Sequence, residues 1–396
     1  MNTPSLERGA SASTVSFHDL LLSHGPEYLE RFGPCMPPRQ REVLQRILRC
    51  RTPALGGQLF ACPDCGAHHY RYHSCNDRHC PLCGRTEADD WLALQESRLL
   101  LPVPYFLVTF TLPEPLRNWM RSHPKAGYDL LFQTSAQALQ DLAANPKHLG
   151  GSLALLGVLH TWSRTLIYHP HVHYLVPGGA LSLDQLQWVP TKENFLLPVY
   201  PLSDHFRHLF YQALQEHHPE ALRSLPRKIW NVRWVVHSQP AGSGREALEY
   251  LSRYVFKTAT GNRPLERLPD GRVRWPYRQS DTGQPAHLDL TPIELLRRFL
   301  QHVLPSGYHR VRLFGWFHPA SRQKLNRVRG LLKQSPVLTS PEKEAWHPGE
   351  EIFEAVLPIE KKPTPTPQCP HCKRPMVLVG RWHTGQSSLA IARAPP

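Results

Sequence analysis

A histidine-rich stretch, HPHVHYLVPGG at residues 169–179, has a spacing that suits metal binding. Side chains of a β-strand alternate between its two faces, so His171 and His173 share one face and Val172 lies on the other. Two imidazoles on one face can hold a single metal ion. The alternative is a partly exposed strand with polar residues on its wet side, in a chain that contains 24 histidines. The other motifs decide between these readings.

Four cysteines form two Cys-x-x-Cys pairs in one short stretch. Cys62 and Cys65 make the first pair, Cys80 and Cys83 the second, and each pair is followed by glycine. Because each pair can direct two thiolates at one ion, these four residues predict a tetrahedral structural Zn²⁺ site. A redox dithiol is disfavoured, since two matching pairs are present.

The segment around the cysteine pairs carries further candidate ligands and basic residues. Within the loop between the pairs, the side chains that can replace a ligand or bind a second ion are Cys75, His73 and His79. Arg71, Arg78 and Arg85 lie beside the pairs and predict that this module binds DNA, because cationic side chains neutralise phosphates.

A third Cys-x-x-Cys pair, Cys369 and Cys372, lies in the C-terminal tail and is only half of a zinc site. Its partners could be His371, His383 or another chain. The alternative is an incidental pair without a metal.

A helix is predicted over GSGREALEYLSRYVFKTATGN, residues 242–262, because its apolar residues recur at helical spacing. Ser243 followed by Glu246 three residues later suggests a capping box at its start. Tyr250, Tyr254 and Lys257 share a face different from that of the leucine stripe. The alternative is a pair of amphipathic tyrosines packed at the edge of a sheet.

Alternating β-branched and aromatic runs around the histidines, punctuated by helical patterns, predict an α+β fold. The expected domain organisation along the chain is a disordered segment (1–15), a helical and zinc-binding DNA-binding domain (16–101), an α+β domain with the tyrosine helix (102–262), a basic C-terminal part of the core (263–335), and a linker with a tail (336–396).

The composition points to a nucleic-acid partner. The formal charge is +14, so a polyanion is the preferred ligand. Prolines interrupt the longest apolar run, and the N-terminus lacks the apolar region of a signal peptide, so we expect no membrane segment and a cytoplasmic location. Nine cysteines, an odd number, suit metal binding in a reducing compartment better than a disulfide framework.

Taken together, these segments resemble the two-tyrosine HUH transposases of rolling-circle bacterial insertion sequences (insertion-sequence-ninety-one type), which carry an N-terminal zinc-binding domain. The resemblance rests on YFLVTFTLP, VLHTW, HPHVHYLVPGG and YLSRYVFK, with SCNDRHCPLC ahead of them and GYHRVRLFGWF behind, and it spans about residues 30–330. Asp77 departs from the pattern, where an uncharged or basic residue is expected, and this weakens the expected DNA contact of its loop. Ser163 stands where glycine is expected.

The resemblance implies an antiparallel-sheet HUH nuclease domain that cuts single-stranded DNA. His171 and His173 would hold Mg²⁺ or Mn²⁺ at the scissile phosphate, Tyr250 would attack it, and the product would be a 5′-phosphotyrosine with a free 3′-OH. Tyr254 would supply a second nucleophile, and Lys257 would steady the phosphate. The third metal ligand stays open among the candidates Glu246, His160 and His169.

Other functions share parts of this pattern. A plasmid replication initiator or a conjugative relaxase would use the same strand and tyrosines, but the cysteine module and RVRLFGWF favour the transposase. A zinc-dependent DNA-binding regulator with a structural histidine pair is the alternative from a different class. The absence of a carboxylate within HPHVHYLVPGG argues against a metallohydrolase.

Overall fold

The computed structural model describes residues 13–83, 86–255, 260–279, 282–333 and 366–383, with the side chains of 86–90 and 253–255 left out. In these ranges the helices are α1 (Phe17–Phe32), α2 (Pro38–Leu48), α3 (Thr86–Leu99), α4 (Leu116–Ser122), α5 (Pro124–Ala144), α6 (Val199–His217), α7 (Pro219–Ser224), α8 (Arg245–Val255), α9 (Pro292–Leu300) and α10 (Arg322–Leu331). The strands are β1 (Ser13–Ser16), β2 (Gly57–Ala61), β3 (His68–Tyr72), β4 (Tyr105–Thr111), β5 (Gly151–Ser152), β6 (Ala154–Trp162), β7 (Tyr168–Pro177), β8 (Gly179–Ser182), β9 (Trp188–Pro190), β10 (Val235–Pro240), β11 (Pro264–Arg267), β12 (Val273–Arg278), β13 (Pro285–Leu290), β14 (Val311–Gly315) and β15 (Val377–Trp382).

A five-stranded sheet with the order β10-β4-β7-β6-β14 carries the histidine stretch on its central strand. Every neighbouring pair in it is antiparallel. The predicted α+β class with an antiparallel sheet is therefore confirmed in its general form.

The two faces of this sheet pack against different helices, as the alternation of side chains requires. On one face Phe110 and Tyr174 join a buried core with residues of α5 and α6, such as Phe206. On the other face Leu107 and Leu175 pack with residues of α3 and α8. The histidines of β7 lie on the α8 face, because they alternate in step with Leu175.

A second body combines chain segments that are far apart in sequence. Helices α1, α2 and α9 share one buried core with the sheet of order β1-β11-β12-β13. The predicted domain 16–101 and part of the predicted segment 263–335 are thus packed together, whereas β14 from the latter joins the central sheet. Residues 13–15, predicted to be disordered, form β1 with Ser16, and residues 1–12 lie outside the described residues.

The cysteine-rich segment forms a small sheet with the tail. Its strand order is β15-β2-β3, so a strand from the end of the described chain pairs with one that follows α2. A separate three-stranded sheet has the order β5-β8-β9. Among the described residues, no helix is long and apolar enough to cross a membrane.

Candidate functional site

Three histidines converge on the α8 face of the central sheet. His160 on β6 lies directly opposite His171 on β7 in the antiparallel register, and His173 follows two residues later on the same face. One ring nitrogen of each histidine lies within 4.8 Å of those of the other two. The ring centroids of His160 and His173 are 4.4 Å apart. Adjacent strands therefore bring together three imidazoles that could hold one metal ion.

Hydrogen bonds orient two of these rings. The Nδ1 atom of His171 lies 2.6 Å from the carbonyl oxygen of His169, and because a carbonyl only accepts, this nitrogen carries the proton. The Nδ1 atom of His173 lies 2.7 Å from the hydroxyl of Thr109, the residue opposite it on β4. Both rings are thereby held at Nδ1 by a neighbouring group, the arrangement in which an outer partner keeps a metal ligand in place.

The electrostatics of the cluster keep its ligands neutral. Burial lowers the pKa of His173 to about 4. Burial, followed by the proximity of His173, moves the pKa of both His160 and His171 well below the usual value. A metal binds the neutral imidazole, so these residues are in the binding form at neutral pH. The donor set fits a divalent cation.

Tyr250 lies beside this cluster. Its ring centroid is 6.1 Å from that of His173, with the two rings nearly perpendicular, and the residue is 38% exposed. Leu248 and Leu251 of the same helix are fully buried against the sheet. The leucines thus pack this helix on the sheet, and Tyr250 lies on its exposed side with its ring next to that of His173.

The start of α8 differs from the predicted capping box. The helix begins at Arg245, and the carbonyl of Gly244 accepts the first helical hydrogen bond, from the backbone N–H of Leu248. Gly244 has a φ of +81°, and a Cβ there would lie 2.6 Å from the ring of Tyr105. A glycine at the cap lets the helix approach the sheet closely, so Ser243 lies one residue before the cap.

The remaining candidates of the nuclease site are placed as follows. Tyr254 belongs to α8, but its side chain is outside the described set, and Lys257 lies outside the described residues. Glu246 is exposed and His169 is held by Arg117, whose guanidinium donates to its Nδ1 at 2.8 Å. Neither belongs to the histidine cluster, so His160 is the third member that the structure provides.

The cysteines form two four-thiol clusters instead of the one predicted. The first consists of Cys50, Cys75, Cys80 and Cys83, and the second of Cys62, Cys65, Cys369 and Cys372. Sulfur pairs in the first lie 3.6 to 3.8 Å apart. A tetrahedral Zn²⁺ with bonds of about 2.3 Å requires about 3.8 Å between sulfurs. Both sets therefore have the chemistry and spacing of structural zinc sites.

The predicted grouping of Cys62 and Cys65 with Cys80 and Cys83 is corrected by this arrangement. Strands β2 and β3 carry the first pair away from the second, and the loop after β3 turns the second pair toward Cys50 at the end of α2. Cys50 was not assigned from the sequence because it stands alone, with no second cysteine three positions away. The available signal was the count: nine cysteines leave one, the exposed Cys35, after two complete sites.

Asp77 has a structural role that explains its departure from the family pattern. Its buried carboxylate accepts hydrogen bonds from the backbone N–H and the Nδ1 of His79, both at 2.9 Å, and faces Arg39 and Arg46. Burial raises the pKa of Asp77, but the hydrogen bonds from His79 outweigh it and lower the pKa to about 2. His79 Nε2 accepts from the backbone N–H of Leu304, so neither ring nitrogen is left for a metal.

The other predicted residues of the cysteine module do not gather at a metal. His73 places its Nδ1 3.2 Å from the carbonyl oxygen of Leu55. Arg71 stacks over the ring of Phe60, with its guanidinium carbon 4.9 Å from the centroid. Arg78 is exposed and donates to the carbonyl of Tyr308, and Arg85 lies outside the described residues.

Comparisons with known proteins agree with this organisation. A family model described as "Putative transposase" matches residues 154–324, and one described as "Transposase zinc-binding domain" matches residues 20–112. The "Putative transposase y4qJ" of Sinorhizobium fredii (strain NBRC 101917 / NGR234) is 37% identical over 384 residues, which cover 91% of this chain and 93% of that protein. The transposase for insertion sequence element IS801 of Pseudomonas savastanoi pv. phaseolicola is 27% identical over 74% of each chain.

Among solved structures, a bacterial tRNA(His) guanylyltransferase (Thg1)-like protein in complex with ATP aligns with 55% of this chain and 99% of that chain at 14% identity. Its TM-score of 0.20 is too low for the likeness to carry an argument. The family assignment depends on the sequence relatives, whose matches cover both the histidine sheet and the first cysteine pairs. The chain belongs to the IS91-type transposases, which process DNA and carry a zinc-binding domain.

Proposed function

We propose that this transposase nicks and rejoins single-stranded DNA at the ends of its element through a 5′-phosphotyrosine intermediate, in rolling-circle transposition. One observation carries the proposal: the ring centroid of Tyr250 lies 6.1 Å from that of His173, and His173 belongs to a cluster of three neutral imidazoles. A phenol beside a metal site has the two parts that a phosphoryl transfer to tyrosine requires.

In the cleavage step the Tyr250 oxygen attacks the scissile phosphorus. A bond forms between the tyrosine oxygen and phosphorus, and the bond from phosphorus to the 3′ oxygen breaks. The phenol proton is released to solvent, and the departing 3′ oxygen takes up a proton to become a free hydroxyl. Because the phosphate ester is conserved, attack by a 3′-OH restores a phosphodiester and frees the tyrosine without ATP.

The chain's own residues prepare this step. His160, His171 and His173 would bind Mg²⁺ or Mn²⁺, and the bound ion would offset the negative charge that builds on the phosphate. Thr109 and the His169 carbonyl hold two of those rings, so the ligand nitrogens need no reorientation. The buried leucines of α8 hold Tyr250 at the same place.

A second tyrosine would allow two strands to be handled in succession. Tyr254 follows Tyr250 by four residues on α8, which is about one helical turn, and this spacing in the sequence predicts one helix face for the two proposed nucleophiles. Donor and target strands could then be attached in turn. Lys257, three residues further, would steady a phosphate as proposed from the sequence.

Among the described residues, the edge strand β10 exposes side chains on the face of the sheet that carries the histidines, where single-stranded DNA could approach. On the edge strand β10, His237 lies opposite Thr109 in the register and is exposed. Val235, two residues before it, is 62% exposed. These residues share the face of the metal site, because antiparallel partners point to the same side. The exposed residues of β10 and the charge of +14 support DNA as the substrate.

The test uses end-labelled single-stranded DNA that carries the element's terminus, incubated with the purified protein and Mn²⁺. Boiling in SDS leaves only covalent protein–DNA adducts. We expect an adduct with the wild type, loss or strong reduction with Tyr250→Phe, a change in strand joining with Tyr254→Phe, and no adduct with the double variant. Tyr211→Phe is the matched control, because Tyr211 is 37% exposed and lies on α6, across the sheet.

An adduct that persists in the double variant would refute the role of the tyrosines. Absence of any adduct in the wild type, together with tight DNA binding, would favour the zinc-dependent regulator instead. Labelling each DNA end separately shows the polarity: the adduct should carry the 3′-end label, and an adduct that carries the 5′-end label, and so is joined through a 3′ phosphate, would contradict the 5′-phosphotyrosine.

A further inference from the structure

We infer that the C-terminal tail completes a second zinc site, in which Cys62, Cys65, Cys369 and Cys372 bind one Zn²⁺ and join the N-terminal cysteine segment to the tail. The matched zinc-binding domain ends at residue 112, so two of these four ligands lie far outside it. This inference does not depend on the proposed cleavage chemistry, since the cluster contains none of the nuclease residues.

The four sulfurs have the spacing of a tetrahedral thiolate site. Cys62 and Cys372 are 3.4 Å apart at their sulfurs, and Cys65 and Cys369 are 3.5 Å apart. Each Cys-x-x-Cys pair thus places both of its sulfurs against the other pair. With four protein ligands no position is open for substrate, so the metal is structural and of the thiol-preferring kind.

The two pairs have the same backbone conformation, although they are 307 positions apart in the sequence (369 − 62). The N–H of Cys62 bonds to the carbonyl of Ala67, five residues on, and the N–H of Cys369 bonds to that of Arg374, again five on. The residue four positions after each first cysteine donates back to it and has a positive φ: +70° at Gly66 and +62° at Lys373. Two copies of one metal-binding turn face each other.

Contacts around the sulfurs hold the tail in register with the N-terminal strands. Strand β15 pairs antiparallel with β2, so that Trp382 lies opposite Gly57 and is fully buried. A Cβ at Gly57 would lie 2.8 Å from the Trp382 ring, so only glycine leaves room for it. An ion pair between Asp64 and Arg374, at 3.2 Å, links the two turns directly.

The apolar core of the sheet β15-β2-β3 and its two cysteine turns is too small to stabilise this part of the protein by itself. The buried cluster around the sulfurs consists of Phe60, Cys62, Cys369 and Met376, so half of this cluster is proposed ligands. Small modules with such cores depend on metal binding for their folding free energy. Zinc at this site therefore couples the folding of the cysteine module to the presence of the tail.

The two zinc sites differ in their exposure to solvent. In the tail-completed site Cys65 and Cys372 are exposed, whereas in the other cluster Cys50, Cys75 and Cys80 are buried. A chelator should thus remove the tail-bound zinc first. This ordering distinguishes the two sites without any substitution.

The first test measures zinc per chain by native mass spectrometry of the full-length protein. We expect two Zn²⁺ in the wild type, one in the double variant Cys369→Ser/Cys372→Ser, and two in the control Cys35→Ser, whose exposed thiol belongs to neither cluster. Two ions in the double variant would overturn the inference. So would a second ion that is found only in a dimer, since the site described here closes within one chain.

The second test uses the wild type alone and so does not depend on the folding of a variant. The native protein is treated with increasing EDTA, and cysteines are alkylated and mapped by mass spectrometry. We expect Cys62, Cys65, Cys369 and Cys372 to become reactive together, at a lower EDTA concentration than the other cluster. Alkylation of Cys369 and Cys372 without chelator, or release of Cys62 together with Cys80, would refute the grouping.

Discussion

Replacing Thr109 by valine should weaken metal binding at the histidine cluster without disturbing the sheet. Valine keeps the shape and β-branching of threonine but removes the oxygen that lies 2.7 Å from Nδ1 of His173. Loss of such an outer partner costs roughly 10- to 100-fold in metal affinity, or about 1.4 to 2.8 kcal/mol. We expect the upper part of this range, because His173 is buried and its N–H would lose its partner.

Thr111→Val is the matched control for this prediction. Thr111 lies two residues further along β4, opposite His171, whose Nδ1 is already bonded to the His169 carbonyl. Free Mn²⁺ would be titrated by electron paramagnetic resonance, and adduct formation followed over the same Mn²⁺ range. Thr109→Val should raise the Kd and regain its adduct at saturating Mn²⁺, while Thr111→Val behaves as the wild type. Equal Mn²⁺ affinity in all three proteins would refute the assigned ligand geometry.

Three further predictions follow from the same contacts. Three imidazoles suit Mn²⁺ better than Mg²⁺, which prefers oxygen ligands. The Mn²⁺ concentration for half-maximal adduct formation should therefore be at least about tenfold below the Mg²⁺ concentration, and equal concentrations would argue against a three-histidine site. Burial lowers the pKa of His302 from 6.5 to about 3. As the pH falls, His302 therefore gains a proton in the unfolded chain before it does in the native chain, and the free energy of unfolding decreases by about 2 kcal/mol at pH 5. His302→Gln should flatten this loss in urea unfolding between pH 7 and 5, and an unchanged pH dependence would contradict it. Asp77→Asn removes the charge that His79 and Arg39 face and should lower the free energy of unfolding, measured with urea, by about 2 kcal/mol. Arg46 is half-exposed, so Arg46→Ala should lower it by less than about 1 kcal/mol. Similar losses in the two variants would contradict the buried role of Asp77.

Local patterns were sufficient where the physical rule acts over a few residues. Strand alternation put His171 and His173 on one face, and helical spacing set the tyrosines of α8 apart from the leucines that pack on the sheet. The predicted start of α8 at Ser243 was wrong. The cap is Gly244, because the helix lies so close to Tyr105, which is far away in sequence, that only a glycine fits there.

Partners distant in sequence were the main source of error. A Cys-x-x-Cys turn can aim two thiolates but carries no information about which other pair will meet it, so adjacency in sequence favoured the wrong partner. The actual partners follow from the pairing of β15 with β2 and from the position of Cys50 after α2. The ion pairs of the buried Asp77 were not predictable for the same reason, since its partners Arg39 and Arg46 belong to another element.

The sequence alone determined that this protein carries a strand with two histidines on one face, a helix with tyrosines, Cys-x-x-Cys pairs and a basic character, because each of these is encoded by residue type and short-range spacing. The tertiary structure decided which residues act together: His160 as the third imidazole, Cys50 in one thiol cluster, and the tail cysteines in the other. Such sets form only when strand register and helix packing bring distant segments to within a few ångströms, and that proximity depends on the whole core.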